Sequence, residues 1–147
     1  MKPAALALSA ALVTAAHADE GHLRLSLLKA YQQECAACHV AYPPSLLPAA
    51  SWKRLMNNLP QHFGTDASLD PAAVKTISGW LEANASKRAA EPPQDRITRS
   101  AWFQREHDEV PRDAWQRPSV RNAANCAACH TGASEGDYSE RRVRVPR

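Results

Sequence analysis

Apolar positions along this chain recur mostly at helical spacing between clusters of proline, but the first run is of a different kind. Ala4 to Ala15 is small and apolar, broken only by Ser9 and Thr14, with Lys2 ahead of it and Ala16-His17-Ala18 behind it. This is the pattern of a secretory signal peptide with an A-x-A cleavage site. Residues 1-18 are therefore expected to be removed, leaving residues 19-147 as the folded domain. The run is too short to span a bilayer, and no later stretch is long enough either.

Within that domain the pattern predicts helices separated by proline turns. Leu23, Leu27, Leu28 and Tyr31 mark one over 20-38, and Pro43-Pro44 stops it. Trp52, Met56, Leu59 and Phe63 mark a second over 45-63, with Gly64 placed to end it. Asp70-Pro71 is an N-cap followed by proline at the first helical position, and Val74, Ile77 and Leu81 give the third helix its apolar face. A shorter helix is expected over 100-109, closed by Pro111, followed by an irregular segment with Trp115 and Pro118. Arg142-Val143-Arg144-Val145 alternates like a strand but reads as a solvated or loosely docked tail. The expected fold class is mostly α, a compact single domain of four to five helices with long irregular proline-rich connections.

Composition makes a core of side chains alone look thin. There are four tryptophans, three tyrosines and two phenylalanines in 147 residues. The net charge of +3 is spread among acidic residues, with no basic patch that also carries aromatics, which argues against nucleic-acid binding.

The chemistry lies in a repeated pentapeptide. Cys35-Ala36-Ala37-Cys38-His39 returns as Cys126-Ala127-Ala128-Cys129-His130, and the two copies use all four cysteines. Cys-x-x-Cys-His is the attachment signature of c-type haem, in which two thiols add to the porphyrin vinyl groups and the histidine ligates iron. Two copies predict two covalently bound haem c groups, with the domain packed around them. A tetrahedral zinc site would bring such pairs closer together in sequence and does not need a histidine after each. A thioredoxin-like redox pair would sit beside a βαβ pattern that the chain lacks. The flanks of the two motifs share nothing, so the motif is repeated and the domain is not.

Counting then narrows the opposite ligand of each iron. Of six histidines, His17 falls in the signal peptide, and His39 and His130 are the proximal ligands, which leaves His22, His62 and His107. Besides Met1 there is only Met56, whose stripe with Trp52 and Leu59 suits a core residue, so at least one haem is bis-histidine or open. His62 stands beside Phe63-Gly64 at a helix end, and His107 follows Trp102 and Phe103; these two are the leading candidates. His22 lies close to the new N-terminus and ranks after them. His62 follows His39 by as many residues as His130 follows His107, which favours a local pairing, although a crossed arrangement uses the same residues.

The run Glu34 to Pro48, then Ser51-Trp52, Met56, His62-Phe63-Gly64 and Ala67-Ser68-Leu69, resembles the small bacterial dihaem cytochrome c family known as DHC. Ile97-Thr98, Trp102-Phe103, Arg105 to Glu109 and Asn125 to His130 continue the resemblance. It implies an exported, periplasmic electron carrier, not an enzyme, with two low-potential bis-histidine haems. It also implies partners: a monohaem oxygen-binding cytochrome c as acceptor and a quinol-linked membrane b-type cytochrome as donor. Arg96, Arg99, Arg105, Arg141, Arg142 and Arg144 are candidates for pairing with propionates or steering a partner, though most read as surface charge. The rival reading is a haem enzyme or gas sensor with one open site, which becomes live if His62 or His107 is not a ligand.

Overall fold

The computed structural model describes residues 28–147. The expected signal peptide, the leucines before Leu28 and His22 lie outside them. Among the described residues there are four α-helices and no strand longer than an isolated bridge. The helices are α1 (Lys29–Cys35), α2 (Ala49–Asn57), α3 (Pro71–Asn84) and α4 (Ala101–Glu106), joined by short 3-10 turns. No described helix is long and apolar enough to cross a membrane.

α3 forms where local signals agree. Asp70 Oδ1 accepts from the amides of Ala72 and Ala73 at 2.9 Å each, and Pro71 takes the first helical position. Two free donors are thus satisfied, and the proline has none to lose. Ile77 and Leu81, one turn apart, are fully buried, each contributing about 1.5–3 kcal/mol by leaving water. They meet Trp52, Met56 and Leu59 from α2 and the turn after it, with Tyr31 of α1, Ala41 and Leu47 closing one continuous core.

Three expected helices are shorter than the sequence pattern suggests. α1 stops at Cys35, and the rest of the first motif continues as a turn. The stretch 45-63 divides into a 3-10 turn at Pro44–Leu46, α2, and a second 3-10 turn at Leu59–Gln61. Pro48 and Pro60 each lack the amide a continuous helix would need. Phe63 (φ 51°) and Gly64 (φ 95°) then take left-handed conformations that turn the chain back after His62. α4 also ends early, with His107 as its C-terminal cap. The loop at 91-95 is tied to α2 by Arg54, whose Nε and Nη2 donate to Asp95 at 2.9 and 2.6 Å while Nη2 also reaches Glu91 at 2.7 Å.

The C-terminal tail is tied down by specific hydrogen bonds, more firmly than the solvated or loosely docked tail expected. Arg144 donates its amide to the Cys129 carbonyl at 2.9 Å, His130 and Val143 form an antiparallel bridge, and Arg117 Nη1 donates to the Pro146 carbonyl at 2.7 Å. Its partners are distant backbone groups, which an alternating tetrapeptide does not reveal. The tail therefore straps the second motif.

Candidate haem sites

Each pentapeptide brings its histidine to face one other histidine. In the first site Cys35 closes α1, the chain turns through Cys38, and His39 leaves that turn with its Nδ1 2.7 Å from the Val40 carbonyl. A carbonyl can only accept, so Nδ1 carries the proton and Nε2 presents a lone pair. His62 comes from the 3-10 turn at Leu59–Gln61, and its carbonyl is held by the Thr65 amide at 3.0 Å. The ring centres of His39 and His62 are 6.2 Å apart, with planes inclined by 26°. Phe63 lies edge-on to His62 at 5.0 Å, and the Arg96 guanidinium sits 4.4 Å over Phe63.

The second site is built the same way from different elements. A 3-10 turn at Cys126–Ala128 places both cysteines, and the His130 amide bonds the Cys126 carbonyl at 2.8 Å. His107, at the end of α4, donates from Nδ1 to the Phe103 carbonyl at 2.9 Å and stacks on the Phe103 ring at 4.0 Å. The ring centres of His107 and His130 are 6.0 Å apart, with planes at 72°. Trp115 flanks His107 at 5.9 Å and Tyr138 flanks His130 at 5.3 Å. Of the two aromatics expected beside His107, Phe103 is there. Trp102 is exposed, and Trp115, from the segment expected to be irregular, flanks the histidine along with Phe103.

These separations fit a metal held by two imidazoles. Two metal–nitrogen bonds of about 2 Å, with about 1 Å more from each nitrogen to its ring centre, call for about 6 Å between centres. Nδ1 of His62 and of His130 is buried without a hydrogen-bond partner in the protein. These two rings thus lack the carbonyl that orients His39 and His107 through Nδ1. Burial, then the facing His39, lowers the pKa of His62. Burial and His107 do the same to His130, against a smaller opposing pull from Asp137. Both rings are thus kept in the neutral form that ligates.

The cysteines are consistent with attachment rather than redox exchange. All four are free of disulfides, and burial pushes the thiols of Cys35 and Cys126 up to about 11. A redox-active pair needs a lowered value, as at a helix N-terminus, whereas Cys35 is at the C-terminal end of α1. Among the described residues no three His, Cys, Asp or Glu side chains converge as a metal-ion cluster, so the zinc reading has no ligand set. Met56 is buried in the core with Trp52 and Leu59, the filler role its stripe suggested.

Sequence reasoning missed the tyrosines. Tyr42 stacks on His39 at 4.6 Å and 15°, and its hydroxyl donates to the Ala124 carbonyl at 2.7 Å. Tyr31 donates to the Tyr42 carbonyl at 2.9 Å. Only the place of Tyr42 three residues after His39 hinted at such a contact. Of the arginines, Arg142 is engaged with Asp137 at 2.8 Å and Arg105 with Glu106 at 3.1 Å.

Comparison with known proteins gives one consistent answer. The family profile for dihaem cytochrome c (DHC) matches residues 31–138. The chain is similar to a solved diheme cytochrome type c from Shewanella baltica OS155, at 39% identity and a TM-score of 0.72, covering 80% of this chain and 92% of that one. It is also similar to a diheme cytochrome c from Rhodobacter sphaeroides, at 42% identity and a TM-score of 0.70, covering 78% and 98%. A crystal structure of DHC purified from Rhodobacter sphaeroides aligns at 48% identity and a TM-score of 0.67, covering 74% and 95%. No curated protein sequence matches.

Proposed function

Because this chain belongs to the dihaem cytochrome c family and so carries two covalently bound haem c groups, we propose that it is a low-potential electron carrier with each iron held between two histidines. Cys35 and Cys38 would hold the first haem, with His39 and His62 as the ligands of its iron. Cys126 and Cys129 would hold the second, with His130 and His107. The observation that carries this is the pair of facing imidazoles at 6.2 and 6.0 Å, each with one member in a Cys-x-x-Cys-His motif.

The bound haems supply one-electron redox chemistry. What the protein adds follows from its ligand set. Two imidazoles per site leave no position for a substrate, which favours a carrier over an enzyme or gas sensor. Nitrogen in place of thioether sulfur favours the ferric state and lowers the potential. The hydrogen bonds from His39 to Val40 and from His107 to Phe103 hold ring orientation and tautomer, so little needs to move when the charge changes.

The carrier is placed in the periplasm, in line with the signal-peptide pattern and with haem c attachment outside the cytoplasm. Its donor is a quinol-linked membrane b-type cytochrome and its acceptor a monohaem oxygen-binding cytochrome c, partners supported by the family resemblance. The test is an optical and EPR spectrum of the exported protein, oxidised and reduced, with and without carbon monoxide. Two low-spin haems that lack the near-infrared sulfur-to-iron band and ignore carbon monoxide are expected. Carbon monoxide binding to half the haem would show an open site and replace the carrier with a catalyst or sensor.

A further inference from the structure

Tyr42 reaches from the first haem site to the segment just before the second. Its ring lies flat on His39 at 4.6 Å and 15°, while its hydroxyl reaches 82 residues along the chain to the Ala124 carbonyl at 2.7 Å. Ala124 stands two residues before Cys126. Both ends of the side chain are held. Tyr31 Oη bonds the Tyr42 carbonyl at 2.9 Å, and Pro43-Pro44 restricts the backbone that follows. On the far side, Asn122 Oδ1 accepts from the Ala124 amide at 2.8 Å, and Asn125 Nδ2 donates to the Val120 carbonyl at 3.0 Å. Tyr42 therefore joins the His39 ring to the segment that enters the second motif, and any coupling it carries acts equally in both directions by linkage.

Resting on the ligand assignment above, we propose that Tyr42 is a positioning residue that couples the two haems, its hydroxyl setting the first axial ligand against the loop that carries the second attachment site. Reduction at one site would change the charge borne by the His39 imidazole or the charge beside Cys126, without either having to move. The stack and the hydrogen bond carry that change across. The partly reduced protein is where this matters, since two half-reduced molecules can exchange one electron to give one oxidised and one fully reduced molecule.

The test is Tyr42→Phe in the haem-loaded protein, compared with Asn122→Ala. The phenylalanine keeps the stack and removes only the bond to Ala124. Asn122→Ala loosens the same loop without touching His39. Tyr42→Phe is expected to retain both haems and their low-spin spectra. Its disproportionation constant, from spectroelectrochemical titration, should change by about fivefold, within the limit one net hydrogen bond sets. Asn122→Ala should speed hydrogen exchange at Ala124 and leave that constant within about twofold. An unchanged titration in Tyr42→Phe, an equal change in both variants, or a high-spin signal in Tyr42→Phe would each overturn the coupling role. Failure of the carrier reading is distinguishable, because it would appear in the unmodified protein as a haem that binds carbon monoxide.

Discussion

The planes of the facing imidazoles differ between the two sites, 26° at His39 and His62 against 72° at His107 and His130. Near-parallel rings donate π density into the same iron d orbital and split it from its partner, whereas near-perpendicular rings load both alike. The ferric protein is expected to show two low-spin EPR signals, a rhombic one from the first site and a strongly anisotropic one with a large maximal g value from the second. His62→Ala should convert only the rhombic signal to high spin, and His107→Ala only the other, each leaving half the haem open to carbon monoxide. Two identical signals, or loss of the wrong one, would refute the local pairing. That His62 and His107 are the histidines facing the motif histidines was legible from sequence because so few remained once the motifs were filled. The ring angle was not, since it depends on whether Nδ1 finds the Phe103 carbonyl one turn back or the Val40 carbonyl next door.

At the scale of elements, legibility followed the range of the forces. α3 could be read because Asp70, Pro71 and the Val74, Ile77, Leu81 stripe all act within the helix. Asp70→Ala should therefore lower stability by about 1 kcal/mol in denaturant unfolding without altering the haem spectra. The strap after the second motif was unreadable because it rests on contacts such as Gly132 with Asp137 and Arg144 with Cys129. A Cβ at Gly132 would stand 2.8 Å from Asp137 Cβ and 3.2 Å from its carbonyl oxygen, so Gly132→Ala should destabilise the strap by about 1–3 kcal/mol. Faster hydrogen exchange at the Arg144 amide would report it. Asp137 gives the strap a pH dependence: hydrogen bonds from Ser139, then from Arg142, hold its carboxyl well below the usual carboxylate range. A lowered folded value means the stabilisation is complete above the ordinary unfolded value of about 4 and is lost as pH falls through the folded one. The protection factor of the Arg144 amide, taken against its intrinsic exchange rate at each pH, should therefore fall in acid. In Asp137→Asn it should already be low at neutral pH and lose that acid dependence.

Across the whole molecule, apolar burial is uneven. The continuous core of Tyr31, Ala41, Leu47, Trp52, Met56, Leu59, Ile77 and Leu81 belongs to the first part of the chain, while the buried apolar residues after Ser100 are Phe103, Ala114, Val120 and Ala133. Two of those four are alanines, and ordering each residue costs about 1–2 kcal/mol of backbone entropy. Short 3-10 turns add little, since they lack the cooperative ladder of a long helix. The thin composition of the sequence hinted that the fold leans on its cofactors, but not that the dependence is one-sided. Removing the second attachment with Cys126→Ala and Cys129→Ala should leave the helices around Trp52 and Ile77 protected and expose residues 101-147, cut at least about tenfold faster by a protease and resolved by mass mapping. Removing the first with Cys35→Ala and Cys38→Ala should cost less protection in residues 49-84, because α2 and α3 hold each other through side chains. Equal protection of both halves in the two variants would mean that the C-terminal half folds on its own contacts, with the strap and the Phe103, His107 and Trp115 cluster sufficient to hold it.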